Sequence, residues 1–429
     1  MISLNFCFRK KNGGKILNKS KETRKSSYLE KSNLILSLLL IIFIIPFAPT
    51  SGLIWSQSKT FILFLLAINN IGIVKRYYKD FLFNYSKWLP FIIIAWISTN
   101  YSAYPLISLT GGGIGDGLIF WVLLSIVVTE FETIKIYNSR IIKALKKGFI
   151  IGGTIAVVLA IPQLYFKHID YTIFSLLENT NDGKTLLGIS YEKQPISLFS
   201  HRGHFSAVCL CLYYIAESRM KFIFIFGALI SQTRATIVII TTSIVKQLSL
   251  FKQDYLLNII ILIISFSLFY HLSINKTLYT SSTPPKLPFY MAIKSINIVS
   301  SGRIHSIKIG IRRLTTKATL KNLIIGYGMA PALQSNDVEY TKSYRYHNYI
   351  FDKLISVGIL GFIFFNVIVW KFYKLNNELM LSYIIFSLFW FDSSQYTSLF
   401  FIGCIANTYN KQSYKKIKRS GQKQKKKKE

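Results

Sequence analysis

Apolar runs recur along the chain from Leu34 to Ala406, separated by short polar connections. A helix that crosses the hydrocarbon core of a bilayer needs about 20 mostly apolar residues. Runs of that kind cover 33–49, 58–74, 81–98, 118–131, 148–166, 203–217, 255–273 and 350–370. Two further regions admit two readings. Phe222 to Val245 is apolar except for SQTR at 231–234, and Tyr383 to Ile405 is interrupted by FDSSQ at 391–395. Each is either one span or two short helices meeting at a recessed turn. Splitting both predicts about twelve helices and merging both predicts about ten, with both termini in the cytosol either way.

The charge chooses between these counts. The chain combines 51% hydrophobic residues with a formal net charge of +34, and Lys and Arg collect in the connections and at the two ends. With both regions split, KRYYKD, ETIKIYNSRIIKALKK, ESRMK, KQLSLFKQD and KFYKLNNE all fall on the cytosolic side, as the positive-inside bias requires. Merging them moves KQLSLFKQD and KFYKLNNE outside. The expected fold is therefore all-α: a polytopic membrane helix bundle of about 12 transmembrane helices with one large extracytoplasmic loop. Its parts are a basic cytoplasmic tail (1–32), transmembrane helices 1–9 (33–273), the large loop (274–346), helices 10–12 (347–408) and a basic cytoplasmic tail (409–429). The first apolar run has no small-residue cleavage pattern after it and reads as an uncleaved span. The tail KKIKRSGQKQKKKKE reads as retention charge that also meets anionic headgroups of membrane lipids, and not as a nucleic-acid arm.

In the large loop, Ile304, Ile307, Ile311 and Leu314 recur at helical spacing, with Arg303, Lys308, Arg312 and Arg313 elsewhere around the wheel. This predicts an amphipathic helix on the outer membrane surface, started at Ser300 or Ser301 and followed by a turn at the GYG of 326–328. Other signals fail. GGGIGDG at 111–117 lies between spans rather than between a strand and a helix, and NDGKT has Glu178 where a phosphate-binding loop needs its first Gly. His201 and His204 form no metal pattern, and Cys7, Cys209, Cys211 and Cys404 have neither disulfide nor metal spacing.

Four positions at span ends or in the large loop carry candidate chemistry: Arg202, Arg234, Arg303 and His347. An arginine among apolar residues costs about 2.5–3.5 kcal/mol on insertion scales, so Arg234 faces a polar cavity or snorkels to the headgroups. His347 stands where the loop becomes a helix, and imidazole exchanges protons near neutral pH.

Taken in order, SQTRATIVII, SGRIHSIKIGIRRL, LIIGYG and YHNYIFDKLISVGILGF resemble the O-antigen ligase and O-antigen polymerase superfamily. That family has an S-R or S-x-R turn opening a span, an S-G-R helix in the large outer loop, a G-x-G turn, and H-N before an apolar helix with G-x-x-G. STNYSAYPLISLTGG is similar to its first outer loop, and the resemblance covers roughly residues 90–370. The chain departs from the pattern by inserting Gln232 and Thr233 before Arg234 and by having Ala235 where the family often has Gly.

The resemblance implies a metal-independent glycosyltransferase without a cofactor. It would act at the outer face of the cytoplasmic membrane on a glycan carried by undecaprenyl diphosphate, with a glycan or lipid acceptor. Displacing a sugar from diphosphate builds negative charge on the leaving group, which fixed guanidinium groups stabilise. Arg234 and Arg303 are assigned to the diphosphate, with Arg202 as a weaker third. His347, supported by Asn348, is the candidate base for the acceptor hydroxyl. Two rivals stand beside this expectation: a transporter or flippase of lipid-linked glycans, and a non-enzymatic membrane scaffold.

Overall fold

The computed structural model describes residues 27–41, 58–111, 117–165, 202–231, 236, 239, 240, 243, 310–329, 349–389 and 396–408. These residues are helical apart from turns, and none of them lies in a strand. Numbered in chain order, the helices are α1 (27–41), α2 (Ser58–Arg76), α3 (Tyr78–Tyr85), α4 (Leu89–Asn100), α5 (Pro105–Thr110), α6 (Leu118–Tyr137), α7 (Ser139–Tyr165), α8 (Arg202–Ile215) and α9 (Ser218–Ile230). A π-helical turn at Arg313–Lys317 follows, then α10 (Leu320–Ile325), α11 (Tyr349–Leu375), α12 (Asn377–Phe389) and α13 (396–408).

Ser139–Pro162 and Tyr349–Leu375 are long and apolar enough to cross a membrane, and α2 with α3 would make a third span if that bent pair counts as one. The exposed side chains agree with a lipid surround. On α11, Ile359, Ile363, Val367 and Trp370 are exposed at helical spacing, while Val357, Phe365, Ile368 and Phe372 are buried. On α2 the exposed stripe is Phe61, Phe64, Ile68 and Ile71. Such stripes would be a liability in water, but acyl chains solvate them.

The expected span 81–98 takes a different form. The chain bends by 119° after α2 into α3, which has no buried residues, and turns again at Ser86–Trp88 into the apolar α4. Asp80 and the exposed Phe83 share α3, which gives that short helix an interfacial pattern, while Pro90 at the start of α4 tolerates its missing N–H there. The region from Tyr383 to Ile405 is divided between α12 and α13. Tyr383 packs on Phe400 at 5.4 Å and Phe386 on Tyr396 at 5.3 Å, so the two helices run antiparallel. In the region from Phe222 to Val245, α9 ends at Ile230 with Ser231 as its C-cap, and helical residues resume at 236.

Side-chain contacts fix the directions of the long helices. Trp121 and Phe365 meet at 5.5 Å, and further along the same two helices Glu132 pairs with Lys371 at 2.5 Å, so α6 and α11 are parallel. Phe91 lies 5.4 Å from Phe365, and Ser98 donates to the carbonyl of Ser356, so α4 is antiparallel to α11. Aromatic rings from α4, α6, α11 and α13 interlock in this core, where Phe372 and Phe401 stand 4.7 Å apart edge to face. Pairs of that kind add about 0.5–1.5 kcal/mol each beyond the area they bury.

Candidate functional site

The site begins as a break in a helix. α11 carries a non-helical residue in its tenth position, Gly358, with φ 66° and ψ −173°. That region of backbone space is almost closed to residues with a Cβ. The interruption strands carbonyls that an unbroken helix would satisfy, and a second segment of chain supplies their donors. Tyr327 donates its backbone N–H to the Ile355 carbonyl at 2.8 Å, and Gly328 donates to the Ser356 carbonyl at 3.0 Å. The Ser98 hydroxyl adds a 2.7 Å bond to the same Ser356 oxygen.

This contact needs two glycines facing each other. A Cβ on Gly326 would lie 2.3 Å from the Ser356 carbonyl oxygen, and a Cβ on Gly358 would lie 2.3 Å from the Ile324 carbonyl oxygen. Gly326 also has φ 84°. The GYG turn and the break in α11 are thus two backbones pressed together, with no space for side chains between them.

Around this junction hydroxyls form a buried chain. Ser108 of α5 donates to Thr99 at 3.1 Å and accepts the Met329 N–H at 2.7 Å, while Thr99 returns its own proton to the Ala95 carbonyl. These bonds tie the end of α4, α5, the GYG turn and α11 into one unit, and pairing the Ser98, Thr99 and Ser108 hydroxyls avoids the desolvation cost of leaving them unmade.

Cations crowd the same end of the molecule. Lys353, 2% exposed, stands 4.1 Å from the Trp121 ring centroid and 4.0 Å from Asp352. Arg313, 4% exposed, lies 4.2 Å over the Tyr327 ring, and Lys321 lies 3.6 Å over Tyr101. Aromatic faces hold cations through the ring quadrupole. The sequence placed Arg313 on the polar face of an amphipathic helix. Instead the backbone widens into a π turn there, with Thr315 and Thr316 donating to the Ile311 and Arg312 carbonyls, and Arg313 turns inward over Tyr327. Ile311 is exposed, as a lipid-facing position would be, and residues 300–309 of that expected helix lie outside the described residues.

Arg234, Arg303, His347 and Asn348 lie outside the described residues, and Arg202 is the first residue of α8. The ends of the elements beside them converge. Lys146 of α7 feels the charges of Glu217 and Lys221, while Gly153 faces Leu212 and Phe224 and Gly227 faces Val157 and Cys209. α7 is therefore antiparallel to α8 and parallel to α9. The start of α8, the end of α9 four residues before Arg234, the GYG turn, and the start of α11 two residues after His347 all lie at one end of the bundle. The opposite end holds the Glu132–Lys371 pair and the hydrogen bond from Tyr137 to Asp80.

Sequence reasoning did not single out Ser98, Ser108, Lys353 or the Arg313–Tyr327 stack. A signal was present for the first two, since both lie in STNYSAYPLISLTGG, the segment already matched to an outer loop; nothing in local spacing marks Lys353. Among the described residues no group of His, Cys, Asp or Glu is arranged to hold a metal ion. No protein-family model matches the chain, and comparison with curated proteins gives no match either, so the family resemblance rests on the motifs and their order.

Proposed function

We propose that the protein is a membrane glycosyltransferase that transfers or polymerises a glycan carried on undecaprenyl diphosphate at the outer face of the cytoplasmic membrane. The observation that carries this reading is the convergence of the start of α8, the end of α9, the GYG turn and the start of α11 at one end of the bundle. In sequence, Arg202 opens α8, Arg234 follows the end of α9 by four residues, Arg303 precedes the GYG turn by 23 and His347 precedes α11 by two, which supports the reading of one face built from far-apart cationic and titratable segments.

The parallel packing of α6 and α11 supports the twelve-helix topology. Counting from a cytosolic N-terminus, α6 enters from outside and ends inside, and α11 enters from outside only if an odd number of crossings lies between them, five in the twelve-helix reading against four in the ten-helix one. The twelve-helix reading has that parity and the ten-helix reading does not. The loop before α11 is then extracytoplasmic. Arg234 and Arg303 take the diphosphate charge as it develops, and His347 removes the acceptor proton, a role typically worth about 10² to 10⁴ in rate.

Transfer of a lipid-linked glycan in purified membranes tests this. Arg303→Lys keeps charge but loses the planar fork and is expected to lose most activity at normal protein level. His347→Gln is expected to be nearly as poor as His347→Ala, because Gln has no titratable nitrogen. Wild-type activity in Arg234→Ala, Arg303→Ala and His347→Ala membranes would remove the reading.

One observation favours a second reading, a transporter or flippase of lipid-linked glycans: the break in α11 at Gly358, since transporters build their sites on interrupted helices. Lipid-linked glycan that crosses reconstituted vesicles without any transfer product would select it.

A further inference from the structure

The Arg313–Tyr327 stack stands beside the helix break and belongs to none of the residues assigned above. We infer that it is an additional phosphate-binding subsite; this rests on the reading of a lipid diphosphate as donor. Three observations meet there. The guanidinium carbon lies 4.2 Å from the ring centroid, which holds a buried cation of a kind that pairs with phosphate beside the Tyr327 phenol. The Tyr327 hydroxyl is buried and, among the described residues, has no hydrogen-bond partner. A buried phenol normally finds one, so the missing acceptor points to a ligand. The third is the π turn, an energetically poorer form than the α-helix and one often found at functional sites. It starts at Arg313 and brings that side chain inward.

Tyr327 is also fixed in place. Its backbone is bonded to the carbonyl of Ile355, and its ring packs with Leu314 and Phe351 against Ile355. Thr315, Thr316 and Leu320, which follow Arg313 closely in the chain, are exposed. The ligand chemistry is a phosphate oxygen, from a lipid-linked diphosphate or from a free polyphosphate anion.

Tyr327→Phe and Arg313→Lys separate ligand binding from structure. Phe keeps the ring, the stack and the backbone bond, and removes only a hydroxyl that has no partner among the described residues, so the melting temperature is expected to stay at the wild-type value. Binding of undecaprenyl diphosphate to full-length protein in nanodiscs is expected to weaken by about tenfold or more in each variant, the scale of one hydrogen bond to a charged group. A parallel loss for inorganic pyrophosphate in buffer makes the free anion a sufficient ligand; a loss confined to the lipid makes the lipid-linked form the source.

Wild-type affinity for both probes in both variants would overturn the subsite, as would a wild-type protein that binds neither probe. A lowered melting temperature in Arg313→Lys with Tyr327→Phe binding unchanged would also overturn it and leave the stack a packing contact. The transfer assay keeps the two claims apart. Normal transfer with unaffected variants rejects the subsite alone, whereas weakened binding in a protein without transfer activity rejects the glycosyltransferase reading alone.

Discussion

α7 and α11 are both 27 residues long, and both carry glycines against close neighbours, yet the glycines do opposite things. On α7 the glycines keep helical geometry and act as flat surface. A Cβ on Gly148 would lie 1.9 Å from the Ser37 hydroxyl and 2.3 Å from the Leu34 carbonyl oxygen, and one on Gly153 would lie 1.9 Å from a Leu212 methyl. They let α1 and α8 approach the helix, the ordinary use of small residues between membrane helices. On α11, Gly358 leaves helical geometry altogether, and what approaches is the backbone of a distant turn. Small residues in a span thus mark packing where the backbone stays regular and a built site where it does not.

The largest expected effect follows at the break. Gly358→Ala combines a backbone region that costs an L-residue about 1–3 kcal/mol with a clash against the fixed Ile324 carbonyl. The variant is expected to lose most folded protein in a detergent thermal-shift assay, and Gly326→Ala to behave alike. Gly148→Ala meets backbone at Leu34 without leaving helical geometry, so it is expected to cost about 1–3 kcal/mol as an overpacked contact. Gly153→Ala meets the end of a Leu side chain that can change rotamer, and a loss under about 1 kcal/mol is expected. If all of them destabilise equally, the distinction between surface and break is lost.

How far the sequence anticipated this contrast depends on what each feature is made of. The all-helical architecture, the division of Tyr383–Ile405 into two helices and the turn at GYG follow from apolar spacing and turn residues, which act locally. The junction does not, because it couples Ile355 and Ser356 to Tyr327 and Gly328, and Ser98 to Ser356 across a separation of 258 residues. A helical wheel sets Arg313 apart from the apolar stripe because it assumes an α register, and the π turn changes that register at this residue. The helix lengths also differed: the apolar run 81–98 was read as one span, whereas the turn before Pro90 leaves α4 only 12 residues.

Smaller effects sit at the other end of the bundle. Glu132→Cys with Lys371→Cys is expected to give a crosslink with a short bifunctional reagent, because the native pair is 2.5 Å apart; failure would undo the parallel packing of α6 on α11. The Tyr137 phenol donates to Asp80, and that bond, then the neighbouring negative charge and burial, favour its protonated form, so its pKa is raised. A raised folded-state pKa means that the contact is complete below about pH 10 and is lost as pH rises through the folded value. Ultraviolet titration is expected to show one fewer late-ionising tyrosine in Asp80→Asn than in the wild type, with no measurable change in transfer at neutral pH.

The central claim is that the face holding the GYG turn, the break in α11 and the Arg313–Tyr327 stack is extracytoplasmic. Single cysteines at the exposed Thr316, and at Ser282 and Asn336, in a background lacking Cys7, Cys209, Cys211 and Cys404, test it against a cysteine at the exposed Ser86 of the opposite end. The account predicts that a membrane-impermeant maleimide labels the first three in intact cells and labels Ser86→Cys only after lysis; the reverse pattern would move the whole site to the cytosolic side and contradict it.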